Sequence, residues 1–70
     1  MTVIKLLRTI KKTVTALGYE LVVKFDGKEL VSFVINDSIM TYGVSEDINN
    51  LRVLHYSANP ESMKLIVEVE

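Results

Sequence analysis

His55 is the only histidine in this 70-residue chain, and cysteine is absent. A metal centre would have to be built from carboxylates around one imidazole, and the acids show no ligand spacing. A Ser-His-Asp set can be assembled on paper from Ser57 or Ser62 with His55 and Asp47. Mutual geometry defines such a triad, and nothing in the spacing supplies it. The three glycines stand apart and form no phosphate-binding loop. No catalytic residue, cofactor or metal ligand is assigned, and the chain reads as non-enzymatic. His55 is expected to pack against a helix or to sit at a sheet edge.

Charge offers a different kind of site. Lys5, Arg8, Lys11 and Lys12 fall on or near one side of the N-terminal segment, a candidate basic contact face for nucleic acid or an acidic partner. The same stripe is what the solvated side of an amphipathic helix requires, and cations suit the C-terminal end of a helix dipole. No aromatic accompanies them there to stack on bases. Residues 1–28 carry six basic and two acidic side chains, whereas residues 29–70 carry two and seven. Halves of opposite sign can attract within one molecule or between two.

The elements that must hold these residues are readable from periodicity. Val3, Leu7, Ile10, Val14 and Leu17 recur at helical spacing, flanked by Ile4 and Leu6, and predict a helix over 3–17. Thr2 is its expected N-cap and Gly18 its left-handed C-terminal glycine, with Tyr19 folding back on Val14. Phe25-Asp26-Gly27-Lys28 then fixes a hairpin, because Asp-Gly supplies both positive-φ positions of a type I′ turn. Strands are predicted over about 19–25 and 28–36. The two-residue loop sets Phe25 opposite Lys28, Lys24 opposite Glu29, Val23 opposite Leu30, Val22 opposite Val31 and Leu21 opposite Ser32. Leu21, Val23, Phe25, Leu30 and Val34 then share one face, and Val22, Val31, Phe33 and Ile35 the other. Either a segment of the same chain, such as the turn over 45–51, buries the second face or it is an interface. With only one convincing helix to cover a sheet, Val22, Val31, Phe33 and Ile35 are the predicted protein interface.

Further along, Asn36-Asp37-Ser38 reads as a turn and Ile39 to Tyr42 as a short third strand ended by Gly43. Residues 45–50 read as a capped turn or a single helical turn. Strands over 51–57 and 63–69 follow, joined by a loop holding Pro60, and the last strand is half polar. The expected class is α+β, with one N-terminal amphipathic helix on an antiparallel sheet of four or five strands, in a single domain of residues 1–70. Hydrophobic residues make up 49% of the chain, which argues against disorder, yet no strictly apolar run exceeds that of Phe33-Val34-Ile35. A membrane-spanning helix is therefore not expected. The early lysines interrupt any signal-peptide core, and the expected location is cytoplasmic.

The stretch from Leu7 to Val23, reading LRTIKKTVTALGYELVV, resembles the end of small helix-turn-helix antitoxins and repressors of the Xre type. In that family a last helix ending in Leu-Gly runs into a strand and contributes to dimer formation. The resemblance covers about a quarter of the chain and implies a helix–glycine–strand unit and dimerisation. It implies no DNA binding, since the DNA-reading helices would lie ahead of Leu7. The helix-then-strands order also looks like small RNA-targeting toxins with a double-stranded-RNA-binding fold, whose Gly-Ser-His turn this chain lacks. The expected function is a small regulator or inhibitor of phage or mobile-element type, binding itself and another protein. The alternative is a nucleic-acid-associated regulator that uses the basic helix face.

Overall fold

The computed structural model describes residues 1–13 and 16–70, with Lys12 and Thr13 described by backbone alone. The elements run α1 (Val3–Thr13), β1 (Glu20–Phe25), β2 (Lys28–Val34), α2 (Asp37–Tyr42), α3 (Glu46–Asn49), β3 (Val53–Asn59) and β4 (Lys64–Val69). This is the expected α+β class, with one difference in the sheet. Its strand order is β2-β1-β4-β3, and β4 lies parallel to β1 while the other pairs are antiparallel. The sheet is thus mixed rather than antiparallel. Placing β4 at the centre buries Leu65, Val67 and Val69 beneath α1, against Val3, Leu6, Leu7 and Ile10.

At the end of α1, the predicted continuation through Val14 crosses residues outside those described. By Ala16 the chain is in a turn, with the Tyr19 N–H donating to the Ala16 carbonyl at 3.1 Å. Gly18 occupies the third position of that turn at φ 85, where a type II turn needs a glycine. Its N–H donates to Ile35 O at 3.0 Å, so the turn leads into β1, which begins at Glu20.

The hairpin turn forms as expected, with Asp26 at φ 52 and Gly27 at φ 77. Phe25 faces Lys28 and Lys24 faces Glu29, but a bulge at Leu30 then shifts the register. Val31 pairs with Val23, Ser32 with Val22, Phe33 with Leu21 and Val34 with Glu20. A one-residue slip exchanges every side chain beyond it between the two faces. Val31 and Phe33 therefore join Leu21 and Val23 on the helix side, and Ile35 is 2% exposed within the core. Val34 moves to the outer side and is 63% exposed. The bulge resolves the two-faced hairpin internally by sending three large apolar residues to the side that α1 covers.

Ile39 to Tyr42 is helix rather than strand. Asn36 caps it, its Oδ1 accepting the Ile39 N–H at 2.8 Å, and Asp37 follows in the first turn. Those are helix-start signals, and the burial of Met40 in the core outweighs the β-favouring types at 39, 41 and 42. Ser45 caps α3 in the same way, through Ile48 N–H at 3.3 Å. The first residues also belong to the sheet: Thr2 bridges Arg52, Val3 N–H donates to Leu51 O, and Val53 N–H donates to Met1 O. The start of α1 is thereby fastened to the start of β3.

Candidate functional site

Two places on this scaffold offer chemistry to a partner. The first is a groove of about 520 Å³ between α1 and α2, lined by Arg8, Lys11, Met40, Thr41 and Tyr42. Arg8 Nε donates to the Thr41 carbonyl at 3.3 Å, and Lys11 Nζ donates to the Thr41 hydroxyl. Thr41 lies in the last turn of α2, where carbonyls without helical partners attract cations. Two of the four predicted basic residues are thus partly committed to holding α2. Lys5 stays exposed. Tyr42, at 74% exposed, brings to this groove the aromatic that α1 itself lacks. It was not foreseeable while residues 39–42 read as a strand.

The second place is the free edge of β3. Backbone alternation fixes which groups point outward. Glu70 N–H donates to Arg52 O, so Glu68, Ile66 and Lys64 of β4 also face β3. Glu20 N–H donates to Met63 O, which turns the intervening residues of β4 toward β1, as alternation demands. The β3 residues opposite Glu68, Ile66 and Lys64 are His55, Ser57 and Asn59. Tyr56 and Ala58 between them therefore present their N–H and C=O groups to the outside. Beyond its first residue, Val53, every residue of β3 is exposed, and none carries a formal charge.

The opposite edge differs. β2 begins with Lys28 and Glu29 and is kinked by the Leu30 bulge, both common devices against unwanted strand pairing. β3 has a bulge too, at Leu54, but its five residues from His55 to Asn59 pair regularly. Tyr56 and Ala58 lie on the helix side with Val67 and Leu65, yet α1 does not reach over them; Tyr56 is 50% exposed. The helix layer stops short of the strand.

The other predicted site residues are dispersed. Val22 alone of the apolar quartet remains on the outer side, 4% exposed between its sheet neighbours. Around it and Ile66 stand Glu20, Lys24, Lys64 and Glu68, with Lys64 Nζ 3.7 Å from a Glu20 carboxylate oxygen. That side is a solvated surface and not an apolar strip. His55 and Ser57 share the outer side of β3, whereas Asp47 belongs to α3, which packs on α1 across the sheet. Among the described residues no cluster of three or more His, Asp or Glu could hold a metal ion. Among the same residues no helix is long and apolar enough to cross a membrane.

No family model, no curated protein and no solved structure matches this chain.

Proposed function

We propose that this protein is a small interaction module of regulator or inhibitor type, which binds by lending the free edge of β3 to a partner strand. The observation that carries the reading is the uncharged, regular and exposed run from His55 to Asn59, with the backbone groups of Tyr56 and Ala58 turned outward and, among the described residues, unpaired. An added strand gains main-chain hydrogen bonds from such an edge, and pockets for alternate side chains give selectivity. A photo-cross-linking residue at Ser57, compared in the native cell with one at Glu29 on β2, tests it. Discrete protein adducts are expected at position 57 and not at 29. Equal labelling at the two edges, or none at either, would remove the reading.

A second reading draws on the α1–α2 groove. Arg8, Lys11 and the exposed Tyr42 place two cations and a stacking surface together, the pairing that single-stranded nucleic acid uses. It is weaker, since both cations already donate to Thr41. Binding that falls steeply with salt would favour it.

A further inference from the structure

The free edge of β3 has a length and a pattern that suit one occupant. At its start the edge is already taken, because Val53 N–H donates to Met1 O. At its end stands Pro60, which has no N–H to offer. Between them only Tyr56 and Ala58 turn both backbone groups outward, two residues apart. A strand placed antiparallel here must present its own outward groups at the same spacing. A second β3 does so.

We infer that two copies of this chain pair β3 to β3 about a two-fold axis through Ser57. The inference rests on the docking reading of β3 and names its occupant. In this register Tyr56 of one copy exchanges N–H···O bonds with Ala58 of the other, and Ala58 with Tyr56, which uses every outward group between Val53 and Pro60. The alternative centred on Ala58 would set Tyr56 against Pro60 and lose a donor. The large Tyr56 side chain, uncovered by α1, lies over the small Ala58 of the partner copy, so the helix side fills large against small. On the outer side Ser57 meets Ser57, and His55 meets Asn59. The strand carries no formal charge, so the symmetric pairing brings no like charges together. Both helix layers then fall on one side of a continuous eight-stranded sheet.

The register makes a sharp prediction for a chain without cysteine. Directly opposed residues of a pair that exchanges no hydrogen bonds have Cα atoms about 4.5 Å apart, within the span of a disulfide. Ser57→Cys should therefore oxidise rapidly to a covalent dimer. His55→Cys lies about 13 Å along the strand from its symmetry mate and should not. Ala58→Pro removes an outward N–H without touching the β4 ladder, so it should stay folded by circular dichroism and sediment as a monomer. Wild type should sediment as a dimer at micromolar concentration. A wild-type monomer at millimolar concentration would overturn the inference. So would cross-linking at position 55 in place of 57, or a dimer that survives Ala58→Pro. If the chain is monomeric while a photo-probe at 57 still captures another protein, β3 remains the docking edge and only its occupant is wrong; if neither occurs, both readings fall.

Discussion

Gly43 and Gly27 have nearly the same backbone angle, φ 78 and φ 77, but opposite surroundings. A Cβ at Gly27 would meet nothing within 4 Å, whereas one at Gly43 would stand 2.0 Å from Asn49 Oδ1. Asn49 is not free to move aside. Its Oδ1 accepts the Val44 N–H at 2.8 Å and its Nδ2 donates to Tyr42 O at 2.9 Å, closing the junction between α2 and α3. Gly27→Ala therefore tests the backbone alone, at about 1–2 kcal/mol for a left-handed non-glycine residue. Gly43→Ala adds the two displaced hydrogen bonds, at about 1 kcal/mol each, to a backbone at φ 78 and ψ -156 that essentially only glycine adopts, at about 1–3 kcal/mol, for a total of about 3–5 kcal/mol. In a domain this small each kcal/mol moves Tm by about 4–8 °C, so Gly43→Ala should melt at least about 8 °C below Gly27→Ala. Urea denaturation followed by circular dichroism gives the free energies. Asn49→Ala by itself should cost about 2 kcal/mol, and adding Gly43→Ala to it only the backbone term, about 1–3 kcal/mol. Equal losses for the two glycines, or strict additivity of Gly43→Ala with Asn49→Ala, would refute the proposed lock.

Other consequences follow from the same geometry. With the bulge in place, Val31→Lys buries a charge on the helix side and should cost about 1–3 kcal/mol, whereas Val34→Lys should stay within about 0.5 kcal/mol; the reverse order of Tm values would restore the unbulged register. Met63 holds φ 53 at the entry to β4 and is 47% exposed, so Met63→Gly should stabilise by up to about 1 kcal/mol. A lower Tm for that variant would mean that its side-chain contacts outweigh the strain. Reversing Lys5, Arg8 and Lys12 to Glu should leave the fold intact and change protein binding less than about tenfold, mostly in on-rate. If the groove reads phosphates instead, reversing its own Arg8 and Lys11 to Glu should abolish binding, and neutralising them to Gln should lower the salt slope by about two.

The sequence carries local signals faithfully and long-range ones poorly. Asp26-Gly27 and the 3-6-7-10 spacing of α1 are legible because turn chemistry and helical period act over a few residues. Ser45 was readable as a cap for the same reason, and Asn36 was misread only because the β-favouring types after it spoke louder than the cap before them. The bulge at Leu30 leaves no local mark: Leu30-Val31 fits either register, and the choice is made by the helix-side core, which rewards the register that brings Val31 and Ile35 to it. The parallel pairing of β4 with β1 depends on contacts more than forty residues apart, where periodicity says nothing about neighbours. The predicted apolar interface failed with the register that generated it. What replaced it, the outward backbone of Tyr56 and Ala58, is a property of strand order and was invisible in side-chain types; the missing charge between Arg52 and Glu61 was the one available hint.

Amide hydrogen exchange, measured by NMR across a concentration series, tests the docking edge most directly. Tyr56 and Ala58 on β3, and Ser32 and Val34 on β2, all turn their N–H groups away from the neighbouring strand by alternation. If β3 receives a second copy, exchange at Tyr56 and Ala58 should slow as concentration rises from micromolar to millimolar, while Ser32 and Val34 remain fast. Equal and unchanging exchange at all four amides would contradict the account.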